Sequence, residues 1–255
     1  MIISNCKISI LVHNWCMKQI ARKEIIIFII YSFIMLGLYI SFLAIDWNAT
    51  DIIKASKWLK YSSIIVTSIY TLYLFIDSIF INKDLYIRLF ALIAVLFTLL
   101  SDTFLILFDV FILYLVGLIT FSLAQIATGV RIHLTNKNKP LLLISISIRV
   151  LGLLAMLIVP FTFLKDYNLD ISFFYCLAGF YFLNLLTNFI ISFVGSIQIR
   201  KLYIILLTLG LLLFICCDIF VGLANIHLNP TFNKIAWIFY LPCQYLIAIS
   251  IKREK

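Results

Sequence analysis

The sequence predicts an all-α fold, a polytopic membrane helix bundle of eight transmembrane helices. Three observations carry that prediction. Hydrophobic residues make up 64% of the 255 residues and charged residues only 12%, against roughly half and a quarter in ordinary globular proteins. Eight long apolar runs are separated by short polar breaks. Lys and Arg gather in those breaks and at the termini, unequally by side. Mean hydropathy is +1.15. A soluble domain of this size cannot hide so much apolar surface. The same composition excludes a disordered chain and a disulfide-stapled secreted domain. No nucleic-acid partner is expected either. The net charge of +9 reads as a topology signal, because the basic residues sit between apolar runs.

A bilayer-spanning helix needs about 20 mostly apolar residues. The qualifying runs are 24–45, 61–81, 86–107, 110–130, 141–164, 171–194, 202–224 and 235–251. They are apolar all round and show no period of two, which favours helices over a barrel. Asp46-Trp47-Asn48 begins one break and Asn82-Lys83-Asp84 another. Asn136-Lys137-Asn138-Lys139-Pro140 is the clearest loop, and Asn229-Pro230 marks the last. Spans three and four meet in a very tight turn around Asp109. Residues 24–255 are therefore expected to form a single transmembrane domain. Residues 1–23 read as a cytoplasmic N-terminal segment, either an interfacial helix with Trp15 at headgroup level or a frayed tail. The apolar stretch 8–12 is too short for a signal peptide.

Orientation follows from the basic residues. Fourteen of the twenty Lys and Arg fall on the side of the termini, five fall on the other side, and Arg149 lies inside a span. The positive-inside rule then makes both termini cytoplasmic. The expected location is a bacterial inner membrane.

One internal repeat is visible. LFTLLSDTFLIL ends at Leu107 and LLFICCDIFVGL ends at Leu223. Each carries an Asp deep in a span, followed two residues later by Phe. Asp102 and Asp218 are 116 residues apart. That offset covers four helices, so the two copies would run parallel.

A charged residue inside a bilayer costs several kcal/mol and needs a partner or a task. Asp77, Asp102, Arg149 and Asp218 qualify. Asp102 and Asp218 each lie 16 residues beyond the start of their run, or ~24 Å at the helical rise. They share a depth and can face each other. Two carboxyls in a low-dielectric site do not both ionise readily, so the pair can supply one acid and one base. Lys60, near that depth, is a candidate for binding a carboxylate or a phosphate. Tyr181 reaches the same level. Gln125 and Gln244 lie lower and read as interhelical hydrogen-bonding residues or the floor of a polar pocket. Asp77 and Arg149 read as structural, through an ion pair or snorkelling. The six cysteines include no CxxC, and the three histidines, His13, His133 and His227, fall outside the apolar runs. No metal or cofactor is expected. No GxSxG, P-loop or HExxH is present, which leaves cofactor-free acid/base chemistry as the best-supported catalytic option.

Ser101-Asp102, Gly117 and Phe121-Ser122-Leu123-Ala124-Gln125 resemble the first signature of the YhhN family, the lysoplasmalogenase-like membrane proteins. Gly210, Phe214, Cys217-Asp218, Tyr240, Gln244 and Ile247-Ala248 resemble its second. Tyr181 and Lys60-Tyr61 resemble two further family positions. The chain has Ser101 where the family usually has Gly, Gln125 where it often has His, and Tyr61 where it has Pro. The resemblance runs from span two to the C-terminus. It implies hydrolysis of the vinyl ether of a lysoplasmalogen to a fatty aldehyde and glycerophospho-ethanolamine or -choline. It implies Asp102 and Asp218 as catalytic residues and a lysophospholipid, drawn from bilayer lipid, as partner. Lys60, Tyr181, Gln125 and Gln244 are the expected substrate contacts. The alternatives from other classes are a small transporter or lipid-binding protein, in which the aspartates bind a cation or relay protons, and a family member without activity.

Overall fold

The computed structural model describes residues 23–45, 57–81, 84–108, 110–164, 168–227 and 230–251. The expected N-terminal segment lies outside these residues, apart from Lys23. Eight helices and no strands occur among them: α1 Lys23–Ile45, α2 Lys57–Ile81, α3 Leu85–Asp102, α4 Phe111–Asn136, α5 Lys139–Thr162, α6 Leu169–Ile199, α7 Leu202–His227 and α8 Pro230–Ile249. The chain continues from α3 into a π-helical turn, Thr103–Leu107. Helices α1 to α7, with α3 counted through that turn, are long and apolar enough to cross a membrane, so the chain is a multi-pass helical protein. Helix α8 carries Asn233, Lys234, Pro242 and Gln244 and is not among those seven.

The polar breaks end helices by recognisable local chemistry. Asn138 caps α5, its side chain accepting from Leu141 N at 3.2 Å, and Pro140 occupies the first turn. Asn168 caps α6 by accepting from Asp170 N at 2.9 Å. Such caps satisfy the free N–H groups of a helix start. Lys137 and Arg200 take left-handed conformations, with φ of 52° and 51°, and close α4 and α6. Several helices run further than the apolar runs suggest. Helix α4 continues to Asn136 and not to Val130, which brings Arg131 and His133 inside the helix. Expected as loop residues, both are instead packed: Arg131 is 4% exposed and donates to Ser250 Oγ at 2.7 Å. Hydropathy alone ends the span at the first cation, whereas the packed backbone continues because the guanidinium has a partner.

The helices close a ring. Helix α2 packs on α3, α3 on α4, α4 on α6, α6 on α7, α7 on α8, and α8 back on α2. Two helices lie outside it. Tyr31 of α1 stacks on Tyr70 of α2, with centroids 4.1 Å apart, and bonds Thr67 at 3.2 Å. Ser32 bonds Tyr245 of α8 at 2.9 Å. Thus α1 covers the α2–α8 seam. Helix α5 packs on α6 and reaches α4 through Arg149, which lies against Gly129 with no room for a Cβ. Burial marks the same division. Only 17% of the apolar window of α1 and 6% of that of α5 is buried, against 39–50% for the ring helices α2, α3, α4, α6 and α7. Asp77 pairs with Arg88 across the α2–α3 turn at 3.4 Å. Arg149 instead donates to Asn188 Oδ1 at 2.5 Å.

Candidate functional site

Asp102 is the last residue of α3 before the helix widens into its π turn. Three contacts hold that junction. Ser101 Oγ donates to Gly117 O of α4 at 2.6 Å. Tyr61 Oη of α2 bonds Thr103 Oγ1 at 2.9 Å, and Lys57 Nζ donates to Leu107 O at 3.0 Å. The lysine supplies a donor to a carbonyl at the helix end, where the helix itself has none. Gly117 lets Leu105 approach: a Cβ there would lie 2.7 Å from Leu105 Cγ. π turns of this kind recur at functional sites because they re-aim one side chain without ending the helix. Here the re-aimed segment begins next to the carboxyl.

The Asp102 carboxyl is 3% exposed and accepts a hydrogen bond from the Tyr240 hydroxyl of α8. Helices α3 and α8 are not ring neighbours, so this bond crosses the interior. The Asp218 carboxyl of α7 accepts from the Tyr181 hydroxyl of the adjacent α6 at 2.5 Å. Asp218 is only half-buried. The Asp102 and Asp218 carboxyls lie within electrostatic reach of each other, and Cys217 and Cys243 lie within reach of both.

Aromatic rings join the two carboxyls. Phe121 of α4 packs on Tyr181 at 5.2 Å and on Phe214 of α7 at 5.8 Å. Phe214 meets Tyr240 edge-on at 6.0 Å, and Tyr240 meets Trp237 at 4.8 Å. Lys60 Nζ stands 4.5 Å from the Trp237 ring and 5.6 Å from that of Phe42. A cation over an aromatic face is attracted by the ring quadrupole. Every ring helix therefore contributes: Lys60, Asp102, Phe121, Tyr181, Asp218 and Tyr240. The apolar walls strengthen any charge interaction made inside them.

Of the residues singled out from sequence, Asp102, Asp218, Tyr181 and Lys60 come together here. Gln125 belongs to another network, where Asn188 Nδ2 donates to its Oε1 at 3.0 Å and its carbonyl at 2.7 Å. Gln244 is buried one turn beyond Tyr240 on α8. Sequence reasoning did not assign Tyr240 and Trp237 to the site. Their signal is spacing: Trp237, Tyr240 and Gln244 follow at three and four residues, which places them on one helix face. Among the described residues no three His, Cys, Asp or Glu side chains gather as metal ligands.

Fold and site together define a polytopic helical membrane protein with an intramembrane pair of tyrosine-bonded aspartates. No family model, curated protein or solved structure matches the chain.

Proposed function

We propose that the chain is a membrane-embedded lipid hydrolase of the lysoplasmalogenase type, a member of the YhhN family, with Asp102 and Asp218 as its acid/base pair. One observation carries this reading. Two carboxyls on different helices, each bonded to a tyrosine hydroxyl, lie within electrostatic reach of each other among apolar rings. In the proposed reaction the protonated carboxyl gives its proton to the outer carbon of the vinyl ether. The remaining oxocarbenium ion is steadied by the ionised carboxylate, which takes a proton from water as the water oxygen adds to the carbon bearing the ether oxygen. The hemiacetal then collapses. Its C–O bond to glycerol breaks, and its hydroxyl proton passes to the leaving oxygen. The products are a fatty aldehyde and a glycerophospho-alcohol. The catalytic proton has moved from one carboxyl to the other and returns before the next turnover. The chemistry asks for no metal and no nucleotide. Lys60, buried against the Trp237 and Phe42 rings, is the candidate contact for the substrate phosphate. The single-chain amphiphile enters sideways from the bilayer.

The same reading takes all eight helices as transmembrane and both termini as cytoplasmic in a bacterial inner membrane. It also takes the chain as a parallel duplication of four helices. The packing supports that duplication. Moving four helices along converts each ring contact into another ring contact: α2–α3 into α6–α7, α3–α4 into α7–α8, and α4–α6 into α8–α2. The outlying helices α1 and α5 correspond in the same way. Phe121 and Trp237, 116 residues apart like the aspartates, each pack on a tyrosine that holds an aspartate.

The test is aldehyde release from lysoplasmenylethanolamine by the purified chain in mild detergent, followed by mass spectrometry, with Asp102→Asn and Asp218→Asn alongside. Release by the parent chain and not by the variants is expected. A folded, monodisperse parent that releases no aldehyde overturns the lysoplasmalogenase reading. Proton or cation flux through proteoliposomes would then favour transport.

A further inference from the structure

A second polar cluster sits where α5 leans on α4 and α6. Arg149 of α5 lies against Gly129 of α4 and donates to Asn188 of α6 at 2.5 Å. Gln125, Gly129 and His133 recur every four residues on α4, as do Ser145 and Arg149 on α5, and Asn184 and Asn188 on α6. Residues four apart share a helix face. Three polar stripes thus converge, and His133 is within electrostatic reach of Arg149.

Several buried polar atoms of these stripes have no hydrogen-bond partner among the described residues: both ring nitrogens of His133, Nε of Arg149, Oγ of Ser145 and Oδ1 of Asn184. Asn184 is 0% exposed and Ser145 1%. Unpartnered buried polar atoms are rare in a native fold, and each one calls for a ligand, an ion or water. Charge decides between these. Among the described residues no carboxylate pairs with Arg149, and an uncompensated cation at this depth costs several kcal/mol. Water completes hydrogen bonds but does not neutralise the charge. An anion does both. A phosphate offers acceptors to the guanidinium fork, the imidazole N–H and the serine hydroxyl.

The setting says where such an anion comes from. Helix α5 is almost wholly unburied along its apolar window, so the cluster lies beneath a helix on the outer face of the bundle. The α4–α5 and α6–α7 turns at that end carry Lys137, Lys139, Arg200 and Lys201, and juxtamembrane cations attract anionic headgroups. We infer that α4, α5 and α6 form a binding site for the phosphate group of an anionic amphiphile, with Arg149 and His133 as its principal contacts. The inference stands apart from the hydrolase reading, because the residues that hold Asp102 and Asp218 take no part in it.

The full chain is purified and probed in two arms, native mass spectrometry and thermal unfolding being read in each. One arm uses nanodiscs of phosphatidylcholine with or without phosphatidylglycerol; the other adds inorganic phosphate in detergent. Retained phosphatidylglycerol and a raised unfolding midpoint are expected, with Arg149→Gln weakening retention by about ten-fold and His133→Gln by less. A rise with phosphate alone assigns the site to a free anion and also supports it. No response of the parent chain to either probe overturns the inference. So does an Arg149→Gln chain that responds like the parent. Should that variant fail to fold, Gly129→Ala, which displaces the guanidinium, is the second test, and retention equal to the parent again overturns the proposal.

Discussion

Asp102 and Asp218 occupy matching positions in α3 and α7, yet their surroundings differ. Asp102 is almost fully buried and bonds Tyr240 across the interior of the ring, between helices that are not neighbours. Asp218 is half-buried and bonds Tyr181 on the helix beside it. The helix of Asp102 passes into a π turn, whereas α7 runs on as α-helix to His227. The pairing is thus not what a strict duplication gives, since Tyr240 has Ala124 at its counterpart and Tyr181 has Ile65. In the proposed duplication the two acids share a depth. Differently placed tyrosines and unequal burial set their surroundings apart, and one site that holds both an acid and a base needs such a difference.

The largest expected effect tests whether both acids are needed. Asp102→Asn and Asp218→Asn should each lower aldehyde release by about a hundred-fold or more, with thermal unfolding little changed. Asn keeps the shape and still accepts from the tyrosine hydroxyl, but it neither gives nor takes the reaction proton. The double variant should lose no more than either single one, because groups that act as a unit are not additive. Full release by either variant breaks the pair.

Next in size is the inequality of the tyrosines. Tyr240→Phe leaves a buried carboxyl without its donor and unlinks α3 from α8, so a loss of about 1–3 kcal/mol is expected. Tyr181→Phe should cost less, because Asp218 is less buried than Asp102 and α6 already packs on α7. Chemical denaturation of the two variants measures both. Equal losses would mean that the asymmetry has no energetic weight.

Much of this was legible in the sequence, for a physical reason. Crossing a bilayer demands length and apolarity, and both show in the residue string, so α1 to α7 follow the apolar runs, whereas the expected breaks at Asp46-Trp47-Asn48 and Asp109 lie outside the described residues. The aspartates stood out because charge is costly at their depth. Tyr240 stood out only through the resemblance and with no role assigned, because tyrosine is an ordinary occupant of an apolar helix and its role depends on which helix faces it. Gln125, read as an interhelical hydrogen-bonding residue or the floor of a polar pocket, bonds Asn188 across α4 and α6. The π turn carries no Gly or Pro in Thr103–Leu107. It is held by contacts from α2, 42 and 50 residues away along the chain, and from Gly117 of the next helix.

A smaller effect is expected at Lys60. Its ammonium lies over Trp237, and Lys60→Met keeps the stem while removing the charge. If it meets the substrate phosphate, KM should rise by a few-fold, on the order of 1 kcal/mol, with kcat unchanged. A fall in kcat alone would move Lys60 from substrate binding to the chemistry of the pair.

The smallest effect asks whether the π turn contributes to the difference between the two acids. Gly117→Ala places a methyl against Leu105, a side chain with rotamers to spare, so the stability cost should be about 1 kcal/mol. The same methyl presses on the segment that begins beside Asp102, whereas Asp218 has no such turn next to it. Activity should therefore fall further than that cost implies. Gly210→Ala is the matched control. It crowds Ile247 and Leu246 at the α7–α8 contact, 2.8 and 3.2 Å from the new methyl, eight residues before Asp218. It meets backbone as well as side chain, so it should cost more stability but less activity per unit of stability lost. If the two variants show the same ratio of activity to stability, the π turn is only a way of packing α3 on α4, and the inequality of the carboxyls rests on their tyrosines and burial alone.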